Sequence, residues 1–326
     1  MNAQLNVDLH SHSLASDGLL HAYEVAARAK AGGVDVWALT DHDETKALGD
    51  ARAAAEALGM RFINGVEISV SWTPRALAAN AAEAGARAVS AAVSTQDSPP
   101  ISARVAAASS LGKARSASDT TIHIVGLQID PANPILAKGL KAIRSGRDER
   151  AARMALDLEI AGIPGALEGA KKFAVNPELL SRSHFARFLA GAGKATSTHQ
   201  AFFNYLTEGK PGFVPHQWAT LAEAVSWIQA AGGVAVVAHP GRYKQLSQPQ
   251  LGEFFAEFKD LGGRGIEVMT GSHSASQYDH FAEVARCYGF LASRGSDYHG
   301  PGESHVEPGA LPPLPADLTP VWHDWF

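Results

Sequence analysis

The stretch DLHSHSLASDG, residues 8–18, continues the apolar run LNVDL and places His10 and His12 two positions apart. Residues i and i+2 of a β-strand point to the same face, so both imidazoles can aim at one point beyond the strand end. Asp17 adds a carboxylate five residues after His12. An isolated His-x-His pair is also common in loops, so the metal site that this spacing predicts depends on the rest of the chain.

Composition limits the class of protein. The 326 residues are 46% hydrophobic, enough for one large α/β barrel or two ordinary domains. A net charge of −5 argues against the basic surface that holds long duplex nucleic acid. The chain has no apolar run of membrane-spanning length and no signal-peptide pattern, so we expect no membrane contact and a cytoplasmic location. The single cysteine, Cys287, excludes an internal disulfide, and we expect it to be buried.

Apolar and β-branched runs alternate with helical segments. The runs are LNVDL, VDVWALT, RFINGVEISV, TIHIVGL, GGVAVVAHP, GIEVMTG and YGFLASRGSD. Segments between them, such as HAYEVAARAKAGG, carry helical periodicity and end in glycine. This alternation predicts an α/β fold built on a parallel sheet, either open or closed into a barrel.

Two segments interrupt the alternation, and a third ends the chain. In residues 73–121, 24 of 49 residues are alanine or serine, so we expect a mostly disordered insertion with one weak helix near residues 76–92. Residues 140–210 have a helical pattern and are expected to form a small inserted helical domain that caps the substrate. The barrel then comprises residues 1–72, 122–139 and 211–300. Residues 301–326 form a Pro-rich tail that we expect along the surface.

Histidines and carboxylates recur in or near the ends of the predicted strands, the face on which parallel barrels assemble active sites. Six histidines and three carboxylates are therefore expected to meet: His10, His12, His42, His123, His239 and His299 with Asp17, Glu67 and Asp297. Nitrogen and oxygen donors without thiolate favour manganese, zinc or iron over calcium, and nine ligands require two or three ions. Asp41 and Asp43 flank His42, and we expect them to orient imidazoles.

The motifs DLHSHS, LTDHD, GVEIS, HPGRY and GSDYHG, in this order, resemble those of the polymerase and histidinol phosphatase (PHP) family of phosphoesterases. The resemblance implies a distorted (β/α)7 barrel with a trinuclear metal site. Within the family, the sequence is similar to the branch of 3′,5′-nucleoside bisphosphate phosphatases, also described as 5′-to-3′ exoribonucleases acting on short RNA. Three features carry this similarity: HIVGL, a helical insertion containing SRSHFARFL, and HPGRY.

The resemblance also implies the ligand set. One metal is held by His10, His12, Glu67 and Asp297, a second is bridged through Glu67 to His123 and His239, and a third is held by Asp17, His42 and His299. Three divalent ions are expected, with Mn²⁺ preferred and Zn²⁺ or Fe²⁺ as alternatives. Asp17 stands where histidinol phosphatases commonly have histidine, and this departure favours the nucleotide branch.

For the chemistry, we expect a metal-bridging hydroxide, positioned by Glu67 and Asp297, to attack the 3′-phosphate and leave a 5′-mononucleotide. Guanidinium groups are expected to bind the remaining phosphate, and the candidates are Arg147, Arg150, Arg182 and Arg242. The segment GRDERAAR is equally typical of an exposed, salt-bridged helix. His184 is expected to contact a phosphate or protonate the leaving group, although a helix-packing role fits it as well.

Two alternatives to a nucleotide phosphatase remain at this point. One is a histidinol-phosphate-type phosphatase, which Asp17 and the helical insertion argue against. The other is a non-catalytic metal-binding module, which the full ligand set argues against. Composition does not indicate an oligomeric state.

Overall fold

Seven strands form a single sheet in the computed structural model, which describes residues 5–75, 120–216 and 218–326. The strands are β1 (Val7–Asp8), β2 (Val36–Leu39), β3 (Arg61–Trp72), β4 (Thr120–Leu127), β5 (Val234–Val237), β6 (Gly265–Thr270) and β7 (Leu291–Gly295). Each strand lies within or overlaps one of the apolar runs of the sequence. The expected weak helix at residues 76–92 lies outside the described residues, and Thr120 and Thr121 belong to β4 rather than to the insertion.

The sheet is mixed rather than wholly parallel. The strands pair in chain order, but β4 runs antiparallel to both β3 and β5. The prediction of a parallel sheet is therefore wrong for β4. Trp72 pairs with Thr120, so the chain leaves and re-enters the sheet at the same end. As a result, His123 in the first half of β4 lies at the same end of the sheet as residues that follow the parallel strands.

The sheet closes into a nearly complete barrel between β1 and β7. The Leu9 amide donates to the Arg294 carbonyl at 3.0 Å, and the Asp297 amide donates to the His10 carbonyl at 2.8 Å. Strand side chains alternate between two hydrophobic clusters: Val36 and Val236 belong to an inner one, and their neighbours belong to a cluster shared with the helices. The predicted α/β class, a distorted seven-stranded barrel, is confirmed.

The helices divide into two groups. They are α1 (Ala22–Ala31), α2 (Leu48–Ala57), α3 (Pro134–Ser145), α4 (Arg147–Ile160), α5 (Ala166–Lys171), α6 (Arg182–Gly191), α7 (Thr198–Ala201), α8 (Leu221–Ala230), α9 (Gln248–Asp260) and α10 (Ala275–Tyr288). Helices α1–α3 and α8–α10 pack on the outside of the barrel. Helices α4–α7 share a separate hydrophobic cluster that extends from Ala151 to Val214. We call this second group the cap.

The C-terminal tail is more than a surface segment. Leu311, Leu314 and Leu318 are buried, and Val321 joins the inner barrel cluster. Arg294 of β7 anchors the tail because its guanidinium donates to the carbonyls of residues 309, 311 and 312. Cys287, by contrast, is exposed, which corrects the expectation of a buried thiol. In the described ranges, no helix has the length and apolar character needed to cross a membrane.

The seam between β7 and β1 generates a stability prediction. A methyl group on Gly295 would lie 2.4 Å from Cβ of His10 and 2.7 Å from its backbone nitrogen. We therefore expect Gly295→Ala to lower the free energy of unfolding by about 1–3 kcal/mol in urea denaturation. Gly49→Ala in α2 is the matched control, because its added methyl group would meet nothing within 4 Å. Equal stability of the two variants would contradict a tightly packed seam.

Candidate metal centre and active site

The nine side chains expected to bind metal meet at one end of the barrel. His10 and His12 follow β1, His42 follows β2, and Glu67 lies in the middle of β3. Three groups of potential ligands have their donor atoms within 4.8 Å of one another in the described ranges. They are His10, His12, Glu67 and Asp297; His12, Asp17, His42 and His299; and His42, Glu67 and His123.

The first group has the spacing of a metal coordination shell. Nε2 of His10 lies 3.1 Å from Nε2 of His12, 3.2 Å from Oε2 of Glu67 and 3.5 Å from Oδ1 of Asp297. His12 Nε2 is 3.2 and 3.3 Å from the same two oxygens. Four atoms about 2.1 Å from a common ion in tetrahedral arrangement lie about 3.4 Å apart. These four side chains could therefore hold one divalent cation.

Glu67 connects the remaining ligand candidates. Its Oε1 lies 2.9 Å from Nδ1 of His123 and 2.9 Å from Nε2 of His239. Its Oε2 lies 3.2 Å from Nδ1 of His42. A carboxylate with both oxygens directed at different imidazole sets can bridge two cations, which is the position that the resemblance implied for this residue.

Buried polar atoms without hydrogen bonds concentrate at this end of the barrel. In the described part of the chain, seven such atoms belong to the nine residues: His12 Nδ1, Asp17 Oδ1, His42 Nδ1, Glu67 Oε2, His123 Nδ1, His239 Nδ1 and Asp297 Oδ1. Each buried unsatisfied polar group costs about 1–3 kcal/mol. Several of these atoms face one another, and bound cations would satisfy them, so the residues present fit a polynuclear metal centre.

The carboxylates make this site favour positive charge. Burial lowers the pKa of His10, but the charges of Glu267 and Glu67 outweigh it and hold that pKa well above its ordinary value. Burial also lowers the pKa of His12, whereas the carboxylates of Asp297 and Glu67 beside its ring bring it to about 10. A divalent cation would supply the positive charge that these imidazoles otherwise take up as protons.

Two other imidazoles are held neutral. Burial lowers the pKa of His42 to about 3, and burial together with the Arg242 charge does the same for His239. Neutral imidazole is the form that ligates metal ions, so both rings are ready to do so at neutral pH.

The backbone is strained at three positions in this region. Asp43, His239 and Asp297 have φ values of 52°, 29° and 54°, the left-handed region that non-glycine residues rarely adopt. Such conformations cost about 1–3 kcal/mol each and persist where the surrounding structure enforces them. Here they set the direction of side chains in the loop after β2 and just after β5 and β7.

Sequence analysis missed Glu267, which lies in the middle of β6. It is 1% exposed, and its Oε1 lies 2.7 Å from Nδ1 of His10 while its Oε2 accepts the His239 backbone N–H at 2.6 Å. Glu267 thus orients the His10 ring and hydrogen-bonds to the backbone of His239, whose conformation is strained. The signal was an acidic residue inside the buried run GIEVMT, where a carboxylate requires polar partners.

Asp41 and Asp43, which were expected to orient imidazoles, have other partners. Asp41 accepts hydrogen bonds from the Ser13 amide and from the hydroxyls of Ser13 and Ser16, so it shapes the loop after β1. Asp43 accepts from Ser69 and from Arg147. The expectation is therefore wrong, because these carboxylates hydrogen-bond to serines and to Arg147 of the cap rather than to imidazole rings.

A cleft of about 910 Å³ opens above the cluster between barrel and cap. Its wall includes Arg147, Arg150, Arg182 and Arg242. Arg147 is buried and paired with Asp43, and Arg242 donates to Oδ2 of Asp297 at 2.9 Å. Burial, together with the charges of Arg147 and Arg242, lowers the pKa of Arg182. In the described ranges Arg182 has no carboxylate within ion-pair distance, although its guanidinium lies over the Phe202 ring.

His184 does not line the cleft. It is 1% exposed, its Nδ1 accepts the Ser181 amide at 2.9 Å as a cap of α6, and its ring hydrogen-bonds to the Ser16 backbone. Burial lowers its pKa to about 4, so it is neutral near pH 7. This geometry gives His184 a packing role, and the expected contact with substrate finds no support in it.

Comparison with known proteins identifies the family. A model of the PHP domain matches residues 8–129. The chain is 43% identical over 319 residues to the 3′,5′-nucleoside bisphosphate phosphatase of Chromobacterium violaceum, covering 98% of this chain and 96% of that protein. The chain belongs to the PHP family. This PHP protein is also 37% identical over 320 residues to the 5′-3′ exoribonuclease Rnm of Escherichia coli, covering 98% and 93% of the two chains.

Two solved structures share the fold of this chain. An amidohydrolase from Chromobacterium violaceum, solved with bound sulfate and no metal, matches with a TM-score of 0.81 and 44% identity over 98% of this chain and 95% of that one. A metal-dependent phosphoesterase from Bifidobacterium adolescentis has a TM-score of 0.71 at 23% identity, covering 98% and 93%, and supports the fold alone. The resemblance drawn from five motifs is therefore confirmed.

Glu267 generates a prediction about metal affinity. In Glu267→Gln, the amide NH2 must face either the His10 ring or the His239 backbone N–H, and one of the two loses its acceptor. Because such supporting contacts change metal affinity about 10–100-fold, we expect weaker Mn²⁺ binding by that factor in calorimetric titration. Glu283→Gln on the exposed face of α10 is the control. Unchanged affinity in Glu267→Gln would show that the contact is incidental.

Proposed function

We propose that this protein is a metal-dependent phosphoesterase that removes the 3′-phosphate of nucleoside 3′,5′-bisphosphates and leaves 5′-mononucleotides. We also propose that it removes nucleotides from the 5′ end of short 5′-phosphorylated RNA. The observation that carries both is a cluster of nine potential metal ligands, eight in three close groups and His239 beside Glu67, beneath a cleft whose wall holds an arginine without a carboxylate partner in the described ranges. Relatives with these two activities match nearly the whole chain.

Three ions are proposed, with Mn²⁺ as the preferred metal and Zn²⁺ or Fe²⁺ as fitting alternatives for the same donors. The ligands are His10, His12, Glu67 and Asp297 for the first; Glu67, His123 and His239 for the second; and Asp17, His42 and His299 for the third. Divalent ions bound there lower the pKa of water and stabilise negative charge on phosphoryl oxygens.

Arg242 serves the reacting phosphate. Its guanidinium reaches Asp297 through one nitrogen, and the side chain is 48% exposed, so its other donors face the cleft beside the ligand cluster. A guanidinium in this place orients a phosphoryl group and neutralises its charge as the bond to the leaving group breaks. We therefore propose that Arg242 contacts the reacting phosphate, whereas the sequence analysis expected it to bind the remote one.

Arg182 is the proposed clamp for the phosphate that is not cut. Arg147 and Arg242 already have carboxylate partners, whereas the charge of Arg182 is opposed by both of them. A dianionic phosphate would relieve this repulsion and accept two guanidinium hydrogen bonds. With the 5′-phosphate on Arg182, the 3′-phosphate of a bisphosphate, or the first phosphodiester of an RNA, lies over the metal cluster.

The proposed substrates are small. A cleft of this size suits a nucleotide or the end of a short strand, and the net charge of −5 disfavours binding along a long duplex. A cytoplasmic location is part of the proposal, since free nucleotides and RNA fragments arise there.

One comparison of substrates tests the function. Turnover of adenosine 3′,5′-bisphosphate, histidinol phosphate and a 5′-phosphorylated trinucleotide RNA is measured with Mn²⁺ present. We expect the bisphosphate and the RNA to be hydrolysed, each giving 5′-mononucleotide as product. Faster hydrolysis of histidinol phosphate, or release of a 3′-mononucleotide, would contradict the proposal.

The ligand assignment predicts selective loss of metal. We expect Asp297→Ala and His12→Ala each to lose at least one ion and nearly all phosphate release, while circular dichroism stays unchanged, because both side chains contribute donor atoms rather than apolar core. Elemental analysis and phosphate release are measured on the same samples. His305→Ala, an exposed histidine of the tail, is the control and should keep its metal and activity. Full activity in either cluster variant would exclude the proposed centre.

The two arginine roles predict different substrate profiles. Arg182→Ala should lower kcat/KM for adenosine 3′,5′-bisphosphate about ten-fold or more, the scale of one lost charged contact worth about 1.5–3 kcal/mol. It should leave p-nitrophenyl phosphate, which has no second phosphate, much less affected. Arg242→Ala should reduce turnover of both, and Arg153→Ala on the exposed face of α4 should change neither. An equal loss on both substrates in Arg182→Ala would place that arginine at the reacting phosphate.

A further inference from the structure

One of the three ligand groups depends on contacts from the cap. In the group of His12, Asp17, His42 and His299, Oδ1 of Asp17 faces the imidazole nitrogens at 3.5 to 3.9 Å. Oδ2 of the same carboxylate accepts a hydrogen bond from the Ser183 hydroxyl of α6 at 2.9 Å. The helix thereby holds one oxygen so that the other points at the imidazoles.

Arg187 lies one turn further along α6, on the same face as Ser183. Its Nη2 donates to the backbone carbonyl of Asp17, and its Nε and Nη2 donate to the Glu303 carboxylate at 2.9 and 2.7 Å. Glu303 belongs to the loop after His299, and in that loop the Ser304 hydroxyl accepts the His299 backbone N–H at 2.7 Å. Two of the three loops that carry this ligand group, the loop of Asp17 and the loop of His299, are therefore tied to one helix.

Helix α6 packs with the cap. Phe185 and Leu189, fully buried, belong to the hydrophobic cluster of α4–α7 and not to the clusters of the barrel. The guanidinium of Arg187 is 4% exposed, and a buried charged pair of this kind is costly to break. Displacement of the cap would therefore release Asp17 and the loop after His299 together.

The other ligand candidates are held differently. Glu67 and His123 lie within β3 and β4, and His239 follows β5. Glu267 of β6 hydrogen-bonds to the His10 ring and to the His239 backbone. These positions are built by the barrel itself, so they do not need the cap for their geometry.

We propose that α6 is a positioning element for the third ion: through Ser183 and Arg187 it fixes Asp17 and the loop of His299, so that binding of this ion and docking of the cap stabilise each other. The inference rests on the metal centre of the proposed function. Because linkage is reciprocal, an ion that binds better with the cap docked must also strengthen its docking.

The experiment measures metal binding and cap protection without substrate. Mn²⁺ is titrated into the metal-depleted, unsubstituted protein and into Arg187→Met, Ser183→Ala and Ser183→Thr, and bound metal is determined by elemental analysis. Amide hydrogen exchange of residues 182–191 is followed with and without Mn²⁺. Arg153→Met, on an exposed face of the cap, is the matched control.

We expect Arg187→Met to weaken the third ion about 10-fold or more while two ions stay bound, a loss within the range for supporting contacts. Ser183→Ala should show the same selective loss of the third ion. Ser183→Thr should keep the affinity for this ion because the hydroxyl donor remains. In the unsubstituted protein, the last equivalent of Mn²⁺ should slow exchange across α6, and this effect should disappear in Arg187→Met.

Three outcomes would overturn the inference: unchanged affinity for the third ion in both Arg187→Met and Ser183→Ala, loss of all ions together, or exchange in α6 that does not respond to the last equivalent. If Arg187→Met does not fold, Ser183→Ala and Ser183→Thr decide the question. Failure to bind any Mn²⁺ in the unsubstituted protein would instead contradict the proposed metal centre.

Discussion

The site depends on a single buried charge, the carboxylate of Glu67. It is fully inaccessible to solvent in the middle of β3, and five imidazoles approach its two oxygens within 3.2 Å. Burial alone raises its pKa, but the surrounding histidines outweigh that effect and hold the pKa well below its ordinary value. A buried charge of this kind requires partners, and residues within or next to the other six strands supply ligand candidates or supporting groups around it.

This constraint explains several irregularities of the barrel. β4 runs antiparallel, which brings His123 to Glu67 from a strand whose first half lies at the ligand end of the sheet. His239 and Asp297 adopt strained backbone conformations directly after β5 and β7. A regular parallel barrel would place these side chains elsewhere, so the distortion and the ligand cluster have one physical origin.

The cap contributes both to the cleft and to the centre below it. Arg147 and Arg182 face the cleft from α4 and α6, while Ser183 and Arg187 of the same α6 contact the loops of Asp17 and Glu303. Substrate binding and assembly of the ligand cluster are thus connected by one helix. If α6 positions the third ion as proposed, that ion binds fully only where the substrate-binding wall is also in place.

The sequence by itself determined the seven strands, the α/β barrel class, the nine ligand candidates and the family, because apolar runs and local motifs such as DLHSHS and GSDYHG depend only on neighbouring residues. The tertiary structure decided the direction of β4, the support that Glu267 gives to His10 and His239, the packing role of His184 and the pairing of Arg242 with Asp297. Each of these depends on residues distant in sequence that meet only when the barrel closes. The direction in which a buried polar group points is set by these distant partners. A local sequence pattern carries no information about them.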